Sequence, residues 1–163
     1  MANDLSRLEE WFGQILAGME PAQRRKATLK LGRLLRRSNL ARIGANVDPD
    51  GAPFAPRKPR RDLQGRLRQK ARGKMFKGLR KLAKWRVDAA PDGVEIRPAT
   101  NTADRVGSVS QFSQTVTVGR LRNGRAIRAK YEERRLLGFS REDEGIALEV
   151  AGEMLEPDGS RGW

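Results

Sequence analysis

The sequence predicts an α+β fold. It has two N-terminal helices, a short middle helix, a small antiparallel sheet of three to four strands and a C-terminal helix. Three observations predict this. Apolar residues recur at helical spacing as far as Ile43, and again from Ile146 to Leu155. Between Trp85 and Val118 they alternate with polar residues, the period of a half-buried strand. Two turn signals, Pro91-Asp92-Gly93 and Asn123-Gly124, divide that second region.

The first helix is expected over residues 4–17. There Leu5, Leu8, Trp11, Phe12, Ile15 and Leu16 line one face, read as a buried face. Gly18 breaks the pattern, and Pro21 suits the first position of a second helix because its missing N–H costs nothing there. That helix should run to about Ile43 on Ala27, Thr28, Leu31, Leu34, Leu35, Leu40 and Ile43, with Gly44 and Asn46 as terminators. Met75, Phe76, Leu79 and Leu82 restore helical spacing and predict the middle helix near 74–83. Trp85, Val87 and Ala89, then Val94 and Ile96, predict a hairpin about the Pro91-Asp92-Gly93 turn. Residues 98–107 read as a loop and Ser108–Val118 as a third strand, which returns through Asn123-Gly124 toward Tyr131. Ser140 is a suitable N-cap for the last helix, Asp143 stands at the capping-box position, and Pro157 ends it.

Between the helical half and the rest lies an elbow, Asn46–Arg61. Pro49, Pro53, Pro56 and Pro59 exclude a regular helix or central strand. Asp48-Pro49-Asp50-Gly51 is a turn: Pro presets φ, Asp bonds its own backbone, and Gly accepts φ > 0. A calcium loop would need a third side-chain ligand just before the glycine and a bidentate Glu beyond it. Asp50 itself precedes Gly51 and no acid follows until Asp62, so the turn is the reading retained. Phe54 has two readings, pinned against the core or offered to a neighbouring subunit. The elbow as a whole reads as an adhesive surface, with Asp48, Pro49, Asp50, Gly51, Phe54, Pro56, Arg57 and Lys58 as subunit or partner contacts.

The 163 residues fit one domain: a helical part (1–45), the elbow and a basic segment (46–74), the sheet with the C-terminal helix (75–156), and a tail (157–163). With no Cys, disulfides and thiol chemistry are excluded; with no His, the commonest general base and zinc ligand are missing. No apolar run reaches the ~18 residues of a membrane span, and Asp4, Glu9 and Glu10 argue against a secretory leader. Glu142-Asp143-Glu144 is explained by capping, and Glu132-Glu133 by a charged surface among Lys130, Arg134 and Arg135. No catalytic, cofactor or metal residue is assigned.

The net charge of +14 implies an anionic partner. It is concentrated: Arg57–Arg86 holds fourteen Lys and Arg against the single Asp62, a net +13. Arg60, Arg61, Arg66, Arg68, Lys70, Arg72 and Lys74 are the candidate contacts to a DNA backbone or an acidic protein, and charge alone does not choose between the two. The run lacks interleaved aromatics for stacking single strands and matches no zinc-finger, bZIP or RNA-recognition signature.

Four stretches carry a resemblance. They are LSRLEEWFGQILAGMEPAQRRKATLKLGRLLRRS, NVDPDGAPFAPRK, KMFKGLRK and YEERRLLGFSREDEGIALEVAGEML, with the elbow and RRLLGFSRED the most specific. Together they resemble the phage virion morphogenesis family, the tail completion proteins of P-two-like and Mu-like bacteriophages. That family commonly has a His and a Gly flanking a Gln-Phe; here Ser110 and Ser113 stand in those places. The resemblance implies a non-enzymatic structural protein without cofactors. It would complete the tail or join it to the head, as a ring, a hexamer by the tail's symmetry, at the head-proximal end. Its implied partners are the tail terminator, tail tube and head–tail connector, with possible contact to the packaged DNA backbone and none to membrane. Its implied location is the virion tail or neck, and the bacterial host cytoplasm during assembly. The other reading is a nucleic-acid-binding protein without sequence specificity, acting through the Arg57–Arg86 run.

Overall fold

The structure, a computed structural model, describes residues 2–58 and 75–155. Its elements are α1 (Ala2–Ala17), α2 (Pro21–Ala45), a 3-10 turn (Leu82–Lys84), β1 (Trp85–Ala90), β2 (Gly93–Pro98), α3 (Asn101–Gln111), β3 (Thr115–Arg120), β4 (Ala126–Lys130) and α4 (Arg141–Leu155). The class is α+β, but the four strands do not share one sheet. β1 pairs with β2 and β3 with β4, giving two separate two-stranded sheets. None of the described helices is long and apolar enough to cross a membrane.

The chain divides into two compact units. Among the described residues the first comprises 2–38, 85–97 and 139–155, and the second comprises 39–58, 75–84 and 98–138. In the first unit Leu31 and Leu35 of α2 form a core with Ala147 and Val150 of α4, and Leu34, Ile96, Ile146 and Met154 pack around it. The β1–β2 hairpin lies against α2, where the Thr28 hydroxyl donates to the Ala90 carbonyl at 2.8 Å and Arg36 donates to the Trp85 carbonyl at 3.1 Å. Lys30 pairs with Glu153. α1 packs beside α4. Trp11 departs from the expected buried face, since it is 40% exposed. The side chains of Leu5, Leu8, Phe12, Ile15 and Leu16 lie outside the described set.

Contact between α2 and the hairpin depends on a residue with no side chain. A Cβ on Gly32 would sit 2.3 Å from Val94 Cγ2 and 2.6 Å from Val87 Cγ1. Gly32→Ala gains about 1 kcal/mol of helix propensity, whereas forced overpacking costs about 1–3 kcal/mol. Two close contacts from β-branched side chains let the second effect win. Urea denaturation should show a net loss of about 1–2 kcal/mol. A variant more stable than the parent would show that the hairpin does not rest on α2.

The N-terminus of α4 forms the reciprocal cap that its sequence predicts. The Ser140 N–H donates to Asp143 Oδ2 at 2.9 Å, and the Asp143 N–H donates to Ser140 Oγ at 3.3 Å. Asp143 is fully buried there, which joins the cap to the unit's packing.

Two expectations are corrected in the second unit. The first concerns the loop at 98–107 and the strand at 108–118. Residues 101–111 are helical instead, and the strand is confined to Thr115–Arg120. Thr100 caps α3 by accepting from the Ala103 N–H at 3.2 Å, and Ala103, Gly107 and Ser110, spaced by four and three, are buried together with Val109. Ser113, where the resemblance places a glycine, has φ 51°, the left-handed region glycine enters freely. Its hydroxyl donates to the Tyr131 carbonyl at 2.9 Å.

The second correction is the middle helix. Its described residues form a turn followed by the 3-10 turn, because Phe76 has φ 55° and so interrupts helical backbone. Met75 and Leu79 are nevertheless buried. Their apolar character fits the core, and their spacing does not reflect a helix.

The clasped proline elbow

The end of α2 starts the elbow. Asn46 leaves the helix with φ 60°, a left-handed cap. Its side-chain carbonyl accepts from the Met75 N–H at 3.1 Å, and its backbone carbonyl accepts from the Phe54 N–H at 2.8 Å. Asp48 organises the turn. Its Oδ1 accepts from the N–H groups of Asp50 and Ala52, both at 2.9 Å, and its own N–H donates to the Ala52 carbonyl at 2.8 Å. Gly51 has φ 84°, which a side chain would resist. The carboxylates that suggested calcium thus have other uses: Asp48 holds backbone, and Asp50 pairs with Arg135 at 2.5 Å. Among the described residues no group of three or more metal-binding side chains gathers.

Phe54 turns inward. It is 7% exposed and meets Phe76 edge to face, with ring centroids 5.8 Å apart. Pro49 is also buried, and a Cβ on Gly138 would come within 2.5 Å of its Cγ. Of the predicted contact residues, Phe54 and Pro49 therefore hold the loop from within. Asp50, Gly51, Pro56, Arg57 and Lys58 are exposed, and Asp48 is half-buried. The predicted contacts Arg60, Arg61, Arg66, Arg68, Lys70, Arg72 and Lys74 lie outside the described residues.

The elbow is clasped by a distant segment, residues 131–138. Arg134 is the centre of the clasp. Its guanidinium donates to the carbonyls of Ala55 at 2.8 Å, Pro56 at 3.0 Å and Glu132 at 3.3 Å, and its backbone N–H donates to the Ser110 carbonyl at 2.8 Å. It is 7% exposed. Burial lowers its pKa from the ordinary arginine range; Glu132 opposes that shift and the nearby Arg57 adds to it. Lys58 and Glu132 form a surface pair at 3.4 Å.

Three further side chains fix the clasping segment. Gln111 at the end of α3 accepts from the N–H groups of Leu136 (2.7 Å) and Leu137 (3.1 Å) and donates to the Leu137 carbonyl at 3.1 Å. Asn39 accepts from the Gly138 N–H at 3.0 Å, and Arg42 donates to the Gly138 carbonyl at 2.8 Å. Leu136 is 2% exposed. Between elbow and clasp is a shallow open pocket lined by Asp48, Pro53, Phe54, Ala55, Glu133, Arg134 and Arg135. Asn39, Gln111 and Arg134 were not among the predicted site residues. Each is a polar residue that local patterning assigns to the surface. Gln111, within the Gln-Phe pair, and Arg134, the first residue of RRLLGFSRED, lay in stretches that the resemblance marked, whereas Asn39 carried no prior signal.

The structure therefore folds together the two stretches that are most specific in the sequence, the elbow and the RRLLG part of RRLLGFSRED. A family model described as the phage virion morphogenesis family matches residues 3–156. The chain is 29% identical over 156 residues to the tail completion protein S of Escherichia phage P2, covering 94% of this chain and 99% of that protein. No solved structure matches it.

Proposed function

For a chain that belongs to the phage virion morphogenesis family, we propose a structural, non-enzymatic role: it completes the tail and joins it to the head during virion assembly. The observation that carries this reading is the similarity to tail completion protein S along nearly the whole of both chains. The protein acts as a ring, a hexamer by the symmetry of the tail, at the head-proximal end. Heterologous contacts close into such a ring when the rotation per subunit permits. Its partners are the tail tube, tail terminator and head–tail connector, and its place is the neck of the virion after assembly in the host cytoplasm.

The clasp supports this role by fixing the elbow, with its exposed residues, before a partner arrives. A loop held in one conformation loses less entropy on docking than a free one. Asp50, Gly51, Pro56, Arg57 and Lys58 are the exposed residues it would present. The basic run that follows meets an acidic neck partner or the DNA passing through the neck. The alternative reading, nucleic-acid binding without sequence specificity through Arg57–Arg86, is favoured only by the charge of that run.

A null allele in the phage that encodes the chain tests the proposal. Micrographs of the lysate should show filled heads and tails that remain unjoined, with infectivity restored by the chain supplied from a plasmid. Complete, infectious virions made without it would end the proposal.

A further inference from the structure

We propose that the β3–β4 hairpin is a binding arm for duplex DNA, distinct from the Arg57–Lys74 segment. From Thr115 to Tyr131 the sequence TVTVGRLRNGRAIRAKY has five cationic residues and no acid. The register sorts them. Thr115 lies opposite Lys130, Thr117 opposite Arg128, and Arg120 opposite Ala126, so one face carries three cations and two threonine hydroxyls. Arg122 and Arg125 lie at the turn, where Gly124 has φ 81° and the Asn123 side chain accepts from the Arg125 N–H at 3.1 Å. Arg120 donates to the Gly124 carbonyl at 3.3 Å, which ties the strand end to that turn.

The five basic residues are all exposed. Among the described residues β3 and β4 pair with no other strand, and the Lys58 ammonium donates to the Lys130 carbonyl at 3.5 Å. Arg128 and Lys130 are two residues apart on one strand face, about 7 Å along it. A two-stranded ribbon of this width enters the major groove of B-DNA. Arginine forks and threonine hydroxyls are phosphate donors, and a ribbon with no carboxylate of its own meets no repulsion from the backbone. Charge complementarity chooses the polyanion: the ribbon's charged residues are all cationic, and the whole chain, ribbon included, carries +14. Val118, Leu121 and Ile127 are also exposed, and the register shift between Thr117 and Gly119 makes Val118 the bulged residue. This inference does not rest on the assembly role, because its readout is DNA binding by the purified chain.

The test is fluorescence anisotropy of the full chain with a 30-base-pair duplex, titrated between 50 and 200 mM salt. The variant carries R122Q, R125Q, R128Q and K130Q, which spares Arg120 in the turn; unchanged circular dichroism confirms its fold. Each phosphate contact contributes about −0.9 to the slope of log K against log salt. Neutralising four should flatten the slope by roughly 3.6 and weaken binding more than about tenfold at 100 mM. A matched R60Q, R61Q, R66Q, R68Q variant should keep the hairpin's share of the slope. A hairpin variant with the parent slope and affinity would overturn the proposal. So would a parent chain that binds polyglutamate as tightly as the duplex at equal salt, an outcome that assigns the ribbon to an acidic protein.

Discussion

Phe54→Ala should lower stability by about 3–5 kcal/mol, the cost of emptying an aromatic site in a packed interior. At roughly 2–4 °C per kcal/mol for a chain of this size, the melting temperature should fall by about 6–20 °C. The cause is the placement of the ring, 7% exposed and edge-on to Phe76. Removing it takes away the aromatic anchor of the elbow and leaves Pro49 as its other buried side chain. Phe54→Leu should recover most of the loss, because volume-conserving apolar exchanges cost less than about 1.5 kcal/mol. The same series separates the two readings of Phe54 that the sequence left open. A ring that anchors the loop gives parallel losses in melting temperature and assembly. A ring offered to a partner would give normal melting and failed assembly. Thermal scans beside complementation of a null phage decide between them, and burial predicts the parallel loss. A Phe54–Phe76 double-mutant cycle should add a coupling of about 0.5–1.5 kcal/mol.

Arg134→Ala should cost about 2–4 kcal/mol. The guanidinium donates to three carbonyls, and a hydrogen bond from a charged group contributes about 1.5–3 kcal/mol net of exchange with water, less where the acceptor is exposed. Pro56 is exposed, so water can replace the donor there; the half-buried Ala55 carbonyl is harder to re-satisfy. Arg134→Lys keeps the charge but offers a point donor in place of a planar fork, and should recover less than half. Arg134→Met should not rescue either. Apolar replacement of a buried ion pair can be neutral because both charges disappear, whereas here the partner carbonyls remain. Amide exchange at Asp48 and Phe54 should accelerate in Arg134→Ala more than exchange in α4. Equal acceleration would mean that Arg134 supports the molecule generally and does not clasp the elbow.

The parts legible in the sequence are those whose causes are local. The turn at Asp48–Gly51 needs only its own residues, and the α4 cap needs only Ser140 and Asp143. The β1–β2 hairpin is set by alternation around Pro91-Asp92. α3 was hidden because Phe112, Val116 and Val118 share one face of a strand drawn from Ser108 to Val118, while three of its four buried residues, Ala103, Gly107 and Ser110, are small and carry little hydrophobic signal. The middle segment shows the opposite failure. Met75 and Leu79 are spaced like a helix, but the hydrogen bond from the Met75 N–H to Asn46 and the left-handed Phe76 fix another backbone. Tertiary contact overrode propensity there.

The clasp was illegible for a related reason. Arg134 and Ala55 are 79 residues apart, and Asn39 and Gly138 are 99 apart. Nothing near Arg134 distinguishes it from Arg135, which is half-buried and pairs with an acid. Adjacent arginines of one motif have different jobs, and only the fold separates them. Family resemblance marked the two stretches as special without saying that they touch.

On the proposed role, this chain is a fixed part of the finished tail, with its clasped elbow at a subunit or partner contact. Cryo-electron microscopy of the mature virion is the decisive measurement. The result predicted is a ring of copies at the head-proximal end of the tail, with the Asp50–Lys58 surface buried against the neighbouring copy or a neck protein. Virions that lack the chain, or a ring whose elbows all face open solvent, would contradict it.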